Sequence, residues 1–429
     1  MRIIELNPQN KTNLLDSLLK RSPDSYGEYE ETVNEIIRQV REKGDEALFE
    51  YTLKFDRCRL TSKTLKVTEE EIGQACREVS PEFLEVMKKS AENITRFHEK
   101  QLHNSWFSPE DDGTILGQKI TPIAVSGIYV PGGKASYPSS VLMNALPARV
   151  AGVPRIIMTT PPGPDGKVNP GILAAAEIAG VHEIYKAGGA QAIAAMAFGT
   201  ESVPKVDKIT GPGNIFVALA KKACFGHVSI DSVAGPSEIL ILADESATPR
   251  YVAADLLSQA EHDEMASAIL ITTSKELAYK VAEEAEVLTS RLSRKEIIKK
   301  SLENYGYILI ARDMDEAVCA VNEIASEHLE ILTRNPFEIM TRVKNAGAIF
   351  LGEYSSEPLG DYFAGPNHIL PTNGTARFFS PLNVDDFLKK TSIISYSREA
   401  LSKVHRQIEL FAETEGLSAH ANSIKVRFE

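Results

Sequence analysis

Short apolar segments alternate with helical segments of ten or more residues from about residue 123 to residue 351. Arg155–Thr160, for example, predicts a strand, and Asn169–Gly180 predicts the helix that follows it. Strands joined by helices in this way form a parallel sheet that helices cover on both faces. The turn at 234–237 divides the alternation into two successive units of similar size. No residue-level repeat accompanies the two units, so a duplicated architecture is only a hypothesis.

The segments that flank the alternation have a different character. Tyr29–Gly44 predicts a helix that ends at a glycine, and Ser80-Pro81-Glu82 has the cap, proline and acid of a helix start. His103–Pro122 is rich in Asn, Ser, Asp and Gly, which favours a connection between domains. Residues after Pro381 predict a separate, mainly helical tail. We therefore expect an α/β protein with helical extensions at both ends.

Size and charge limit the classes of protein to which the chain can belong. Its 429 residues are enough for two core-building domains with extensions. The net charge of −12 argues against a nucleic-acid surface, which needs a basic face. No apolar run approaches the roughly 18–20 residues that span a bilayer, and the first residues lack the apolar core of a secretion signal. Four scattered cysteines suit a reducing compartment, so we expect a cytoplasmic enzyme.

One predicted helix carries polar side chains at its end. Thr248 and Pro249 form a cap and a first helical position, and the helix should run to about His262. Val252, Leu256 and Gln259 fall along one face, and His262 comes three residues further on the same face. This pattern favours a helix that directs an amide and an imidazole into a cleft. A helix end that simply becomes hydrophilic is the alternative.

Three turns of the first unit are rich in small residues and fall where a predicted strand passes into a helix. They are Tyr129–Gly133, Gly188–Gln191 and Gly211–Asn214. Ligands collect at the carboxyl ends of parallel strands, and glycine there lets a phosphate approach the N–H groups of the next helix. The turns therefore favour a nucleotide site. None of them contains GxGxxG, so ordinary tight turns remain the alternative.

The second unit has ionisable residues that we expect at the same kind of position. Glu327 and His328 pair a carboxylate that can activate water with an imidazole that can shuttle protons. The long loop at 358–368 is typical of a functional segment, and it contains Asp361 as a candidate metal ligand and His368 as a second polar group. A surface pair at 327–328 and a turn-forming Asp361 are the alternatives.

A last motif, Glu415 to His420, lies near the C-terminus. An imidazole on a terminal tail is ordinarily solvated, but four of the nine histidines fall inside the motifs described above. A Gln, a His, an Asp and a further His make a plausible zinc set with room left for substrate, although a Gln oxygen is an uncommon ligand.

These motifs together resemble the histidinol dehydrogenase family. The resemblance runs from about Tyr129 to the C-terminus and is weaker over the helical beginning. It shows no departure at a position that the family uses for chemistry. The motifs that carry it are Ile230-Asp231, Ala234-Gly235-Pro236-Ser237-Glu238, Asp255 to Asp263, Ser326-Glu327-His328-Leu329, Gly360-Asp361-Tyr362, Gly365-Pro366-Asn367-His368 and Glu415 to His420.

The resemblance implies oxidation of L-histidinol to L-histidine through L-histidinaldehyde with two NAD⁺. It also implies a zinc ion and a homodimer in which the C-terminal tail reaches the partner's site. The implied zinc ligands are Gln259, His262, Asp361 and His420, and the implied catalytic pair is Glu327 and His328. The implied substrate contacts are Ser237, Glu415, His328 and the four zinc ligands, with His368 as a weaker candidate. The implied dinucleotide contacts are Tyr129, Gln191 and Asn214.

The family's organisation implies two Rossmann-like domains with parallel sheets and helical N-terminal and C-terminal extensions. The expected divisions are an N-terminal extension at 1–25, a zinc-binding catalytic domain at 26–120 with 237–380, an NAD-binding domain at 121–236 and a tail at 381–429 that contacts the partner subunit.

Three other functions stay open on the sequence alone. An enzyme of the same fold could oxidise another small polar alcohol, although Glu415 and His420 favour an imidazole-bearing amino alcohol. A zinc hydrolase could use Glu327 to activate water, but the glycine-rich turns argue against it. A two-lobed binding protein without catalysis fits poorly with the pair at 327–328.

Overall fold

The structure is a computed structural model that describes residues 1–19, 27–132 and 137–429. Gly133 of the first glycine turn, Ser136 at the predicted start of the next helix, and residues 20–25 of the predicted N-terminal extension lie outside the described residues. The chain divides into a larger unit, Met1–Gln101 with Ala124–Phe387, and a smaller unit, Leu102–Ile123 with Leu388–Glu429.

Among the described residues, the larger unit begins with one strand and five helices. They are β1 (Arg2–Glu5), α1 (Pro8–Leu19), α2 (Gly27–Lys43), α3 (Asp45–Asp56), α4 (Glu69–Glu78) and α5 (Pro81–Glu99). The two helices predicted in this region are confirmed. Gly44 follows α2 with a φ of +56°, and the Ser80 hydroxyl accepts a hydrogen bond from the Phe83 N–H at the start of α5. The short strand β1 was not predicted, because it forms only by pairing with a strand some three hundred residues away.

A five-stranded parallel sheet follows, with helices between its strands. Its elements are β4 (Val125–Tyr129), α6 (Pro138–Val150), β5 (Arg155–Thr160), α7 (Pro170–Ala179), β6 (Glu183–Lys186), α8 (Gly189–Phe198), β7 (Lys208–Thr210), α9 (Ile215–Cys224) and β8 (Ser229–Ile230); β2 and β3 precede them in the smaller unit. The strand order is β6-β5-β4-β7-β8. Counted along the chain, this is the order third, second, first, fourth, fifth that is typical of a Rossmann fold.

A second parallel sheet is built from the next part of the chain. Its elements are β9 (Glu238–Ala243), α10 (Pro249–Ala260), β10 (Ser267–Thr272), α11 (Lys275–Thr289), α12 (Lys295–Tyr305), β11 (Gly306–Ile310), α13 (Met314–Ile324), β12 (His328–Leu332), α14 (Pro336–Met340), β13 (Ala348–Leu351) and α15 (Glu357–Leu359). The order β11-β10-β9-β12-β13 repeats that of the first sheet, and β1 pairs at the β11 edge. The two sheets therefore share one topology, as a duplicated architecture predicts.

Each parallel sheet is buried on both faces. Neighbouring residues such as Ile157 and Met158 of β5 belong to different apolar cores, because successive side chains of a strand point to opposite faces. Helices α2 and α3 pack with α8 and α9 on one face of the first sheet, and α4 and α5 pack with α6 and α7 on the other. The predicted domain boundaries, which assign α2 to α5 to the catalytic domain, stay a prediction.

The smaller unit is a three-stranded antiparallel sheet followed by two helices. Its elements are β2 (Trp106–Pro109), β3 (Ile115–Pro122), β14 (Leu388–Ser395), α16 (Arg398–Thr414) and α17 (Ser418–Lys425). The segment His103–Pro122, predicted as a connection, instead contains β2 and β3, because β3 pairs with β14 from the other end of the chain, and a local pattern does not reveal such a distant partner. The mainly helical tail is confirmed by α16 and α17, although it begins with the strand β14.

Candidate active site

Glu327 and His328 lie at the amino edge of the second sheet. His328 is the first residue of β12 and is paired with Ile239 of β9. The sequence placed these residues at the carboxyl ends of strands, and that placement was wrong. Because α10 runs back along the sheet after β9, its last turn, which carries Gln259, also returns to the amino edge. The ionisable residues of the second unit therefore gather at the opposite edge from the one expected.

A single backbone position orients both members of the Glu327–His328 pair. The N–H of Glu238 donates a 2.8 Å hydrogen bond to Oε2 of Glu327, and the carbonyl of Glu238 lies 3.0 Å from Nδ1 of His328. Since a carbonyl can only accept, Nδ1 carries the hydrogen of the neutral ring. In this neutral form Nε2 is the proton acceptor, and it lies 3.8 Å from Oδ1 of Asp361. Both side chains are buried, so this arrangement is shielded from bulk water.

Burial and neighbouring charges shift the pKa values of Glu327 and His328. Burial raises the pKa of the Glu327 carboxyl to about 8. Burial lowers the pKa of His328, but the carboxylates of Glu327 and Asp361 outweigh this effect and raise it to about 10. Glu327 therefore loses its proton near pH 8, whereas His328 carries a proton on both ring nitrogens at neutral pH and becomes a proton acceptor at Nε2 only when its own pKa is approached or lowered.

Asp361 belongs to a group of three side chains that could hold a metal ion. Ligand atoms of His328, Glu357 and Asp361 all lie within 4.8 Å of one another. Burial raises the pKa of Asp361, but the hydrogen bond with His328 and the charge of His368 outweigh it, so the pKa is lowered. Asp361 therefore stays ionised and offers a carboxylate to a cation.

Glu357 is the member of this group that the sequence analysis missed. Its side chain is buried, and the Ser258 hydroxyl donates a 2.6 Å hydrogen bond to its Oε2. Burial and the charge of Asp361 raise its pKa. The available signal was its place immediately before Pro358, at the start of the long loop. A buried carboxyl group this close to the half-buried carboxylate of Asp361 favours a cation between them.

Gln259 is fully buried in the last turn of α10, and Val252 and Leu256, which were predicted on the same face of the helix, are buried as well. Neither Oε1 nor Nε2 of its amide has a hydrogen-bond partner among the described residues. A buried amide without partners is costly, so Gln259 fits a site in which a metal or a substrate supplies them. His262 lies two residues beyond the helix end and is exposed, and its charge contributes to lowering the pKa of Asp361.

The remaining predicted residues of this site lie in several places. His368 has Nδ1 3.9 Å from Oδ1 of Asp361, and burial lowers its pKa. Ser237 is half-buried immediately before β9. Glu415 and His420 belong to the smaller unit, where they follow α16 and lie within α17, and both are exposed. The structure therefore brings together Glu327, His328, Asp361 and His368, and it describes Glu415 and His420 only within their own unit.

The glycine-rich turns of the first sheet meet at its carboxyl edge, as predicted. Strand order reverses between β4 and β7, and Tyr129 and Gly211 follow these two strands. Gly211 has a φ of +120°, and a Cβ at this position would overlap the carbonyl of Tyr129. The Gly189 N–H donates a 3.1 Å hydrogen bond to the Tyr129 hydroxyl. A nucleotide site is expected at such a reversal point.

The three predicted dinucleotide contacts differ in their burial and in their hydrogen bonds. Tyr129 is buried, which raises the pKa of its hydroxyl to about 12. Gln191 is 1% exposed, and neither polar atom of its amide has a partner among the described residues. Asn214 caps α9, because its Oδ1 accepts hydrogen bonds from the N–H groups of Phe216 and Val217. The amide of Gln191 is therefore the one that a bound nucleotide could satisfy.

Comparison with known proteins decides the family. Residues 19–428 match the family model described as histidinol dehydrogenase. This chain belongs to the histidinol dehydrogenase family. It is 56% identical over 429 residues to the histidinol dehydrogenase of Clostridium acetobutylicum, covering 100% of this chain and 99% of that one. It is 59% identical over 415 residues to that of Caldanaerobacter subterraneus subsp. tengcongensis, covering 97% and 96%.

The fold gives the same assignment. The crystal structure of histidinol dehydrogenase from Elizabethkingia anophelis matches with a TM-score of 0.94 at 37% identity, covering 100% of this chain and 98% of that one. The chain is therefore an oxidoreductase with the two Rossmann-like sheets of this family, and a zinc hydrolase or a binding protein without catalysis is excluded. Within the described ranges, every helix is too short or too polar to cross a membrane.

Proposed function

We propose that this enzyme oxidises L-histidinol to L-histidine through L-histidinaldehyde, with zinc to position the substrate and two NAD⁺ as oxidants. Membership of the histidinol dehydrogenase family carries the reaction class. The single structural observation that supports the mechanism is the buried pair Glu327–His328, which one backbone residue orients beside the carboxylate of Asp361.

The donor set at the amino edge of the second sheet fits a zinc ion. Zinc would act as a Lewis acid and bind the imidazole and the amine of histidinol. The proposed ligands are Gln259, His262, Asp361 and His420. The unpartnered amide of Gln259 and the lowered pKa of Asp361 support the first and third of these assignments, and Glu357 adds a carboxyl group that the sequence did not suggest.

The carboxyl edge of the first sheet fits NAD. The nicotinamide would accept a hydride in each of the two oxidation steps. The proposed contacts are Tyr129, Gln191 and Asn214. The buried amide of Gln191 and the close approach of Gly211 to the Tyr129 carbonyl support this placement.

We assign proton handling to His328 and Glu327. In the first step, Nε2 of His328 accepts the proton of the substrate hydroxyl while Nδ1 keeps its hydrogen bond to the Glu238 carbonyl. Glu327 then accepts a proton from the water that adds to the aldehyde carbon, and His328 returns the proton of the first step to the carbonyl oxygen, which gives the gem-diol and restores neutral His328. In the second oxidation His328 accepts one hydroxyl proton of the gem-diol as the second hydride leaves, and the carboxylic acid that forms releases its remaining proton to solvent to give the carboxylate of histidine.

We further propose that Ser237, Glu415 and His420 contact the substrate and that the enzyme is a homodimer with a shared site. The exposed side chains of the smaller unit support a protein partner, since Trp106 is 52%, Phe107 59% and Ile394 74% exposed. The four cysteines are unpaired, which supports a reducing, cytoplasmic location.

The yield of NADH per histidinol consumed tests the proposal. We expect two NADH for each histidinol, loss of both after treatment with a chelator, and recovery when zinc is restored. The protein without histidinol serves as the control for background reduction. A yield of one NADH, or full activity after complete metal removal, would contradict the proposed function.

A further inference from the structure

The turn that carries Asp361 is held by a helix of the N-terminal region. Asp361 lies in a single π-helical turn, Gly360–Ala364. The two carbonyls that follow it accept hydrogen bonds from α5. The Ser90 hydroxyl donates to the Tyr362 carbonyl at 2.6 Å, and Nδ2 of Asn93 donates to the Phe363 carbonyl at 2.9 Å.

These two bonds matter because the turn buries little of its own surface. Tyr362 is 59% exposed and Phe363 is 40% exposed, so apolar packing of these side chains contributes little to fixing the turn. Carbonyls at the end of a helical segment have no partner within it. The donors on α5 supply these partners and so fix the direction of the backbone next to Asp361.

Helix α5 and the turn are in close backbone contact. Gly365, directly after the turn, has a φ of +111°, and a Cβ at this position would lie 2.7 Å from the carbonyl oxygen of Asn93. Only glycine tolerates both this backbone angle and this approach. The close contact therefore brings the carbonyls of the turn within reach of Ser90 and Asn93.

Helix α5 is itself firmly anchored. Met87, Ala91 and Ile94 are buried in the apolar core on one face of the first sheet, while Ser90 and Asn93 lie on the side of the helix that meets the turn. On the other side of the turn, Oδ1 of Asp361 faces Nε2 of His328. The direction of the Asp361 carboxylate thus depends on an element that packs against the nucleotide-binding sheet.

We infer that Ser90 and Asn93 are positioning residues for Asp361, which they hold through the backbone of the turn toward His328 and the proposed zinc. This inference rests on the proposed function for the identity of the metal. Neither side chain is required to touch metal or substrate. Residues that orient a metal ligand typically change metal affinity by about 10- to 100-fold when they are removed.

The test compares Ser90→Ala, Asn93→Ala and the double variant with the parent enzyme. Thr95→Ala is the matched control, because Thr95 on the same helix donates a 2.8 Å side-chain bond to the Ala91 carbonyl and does not touch the turn. We expect zinc affinity, measured by competition with a chelator, to fall about 10-fold in single variants and up to about 100-fold in the double variant. The KM for histidinol should rise more than kcat falls. Parent-like affinity in the double variant, or an equal loss in Thr95→Ala, would overturn the inference.

Hydrogen exchange of the zinc-free protein gives a second measurement that does not depend on activity. The amides at 360–364 should exchange about 10-fold faster in the double variant than in the parent, because two tethers of the turn are lost. Unchanged exchange would refute the positioning role. If the parent protein binds no zinc, the proposed function is contradicted. The positioning role of Ser90 and Asn93 is still tested in that case, because hydrogen exchange is measured on the zinc-free protein.

Discussion

Several side chains of the candidate site are oriented through backbone groups. Glu238 holds Glu327 and His328 with its N–H and its carbonyl. The backbone N–H of Glu357 donates a 2.9 Å hydrogen bond to Oε1 of Glu330, and the Asp361 turn is held by its carbonyls. Backbone atoms keep their positions when side chains are exchanged, so the ionisable groups remain oriented as they gain or lose protons.

At this scale, Glu327→Gln should separate the two oxidation steps. We expect alcohol oxidation to be largely retained and aldehyde oxidation to fall by about 10²- to 10⁴-fold, because the amide cannot accept a proton from water. The two rates are measured with histidinol and with supplied histidinaldehyde. Glu283→Gln on the exposed face of α11 is the control. Equal losses in both steps would contradict the assignment of Glu327.

The pKa of Glu327 adds a pH dependence to this prediction. Burial raises the pKa of this carboxyl to about 8, so the carboxylate, which is the proposed base, forms as pH rises through that value. Aldehyde oxidation in the parent should therefore increase between about pH 7 and pH 9, and Glu327→Gln should lose this increase. A parent rate that falls over the same interval would argue against Glu327 as the base.

Asp56 should limit stability at neutral pH. It is the last residue of α3, where the helix dipole disfavours a carboxylate. Burial raises its pKa to about 6, and Oδ2 has no partner among the described residues. Because this pKa is raised above that of the unfolded chain, the free energy of unfolding falls as pH rises from about 4 through about 6.

Asp56→Asn should therefore raise the free energy of unfolding by about 1 kcal/mol at pH 7.5, a value reduced for the partial exposure of the side chain. Near pH 4 the difference should vanish. Urea unfolding at the two pH values measures it, with the exposed Asp111→Asn as control. An equal gain at both pH values would show that the charge of Asp56 is not the cause.

At the scale of elements, the direction of a helix decides where its residues act. Helix α10 carries Gln259 at its C-terminal end, which returns to the amino edge of the second sheet. The helices of the first sheet begin at its carboxyl edge, where their N–H groups and the preceding glycines suit a phosphate. The same strand order thus offers chemically different sites at its two edges.

The turn between β7 and α9 provides the prediction at this scale. Gly211→Ala should raise the KM for NAD⁺ at least tenfold, on the order of the 1–3 kcal/mol that strained backbone costs, because a Cβ would overlap the Tyr129 carbonyl. Gly226→Ala is the matched control, since Gly226 has a φ of +97° and nothing lies within 4 Å of its Cβ position. Steady-state kinetics measure both variants, and a raised KM in Gly226→Ala alone would contradict the placement of the nucleotide.

At the scale of the whole molecule, two sheets of one topology divide the proposed chemistry between them. Tethers join their elements within the larger unit. Nδ2 of Asn367 donates a 2.7 Å hydrogen bond to the Met143 carbonyl of α6, and the Gly235 N–H donates one of 2.7 Å to the Thr372 hydroxyl. The first of these bonds fixes the loop that follows Asp361 to a helix that covers the first sheet.

The tail of the smaller unit provides the last prediction. His420→Asn should lower the zinc affinity by about tenfold or more, because an imidazole ligand is lost. Metal analysis after dialysis against a weak chelator measures the loss. His182→Asn, a change of an exposed histidine on the first sheet's surface, is the control. An unchanged metal content would remove His420 from the ligand set.

The sequence by itself determined the alternation of strands and helices within the two α/β units, the glycine turns and the residues that resemble the family. These follow from local periodicity, turn chemistry and motif spacing, which a linear chain displays. Only the tertiary structure decided that Glu327 and His328 lie at an amino edge, that Glu357 joins Asp361, that α5 holds the Asp361 turn and that β3 pairs with β14. Each of these depends on contacts between residues that are distant in the chain, and the local sequence around one partner does not predict the other.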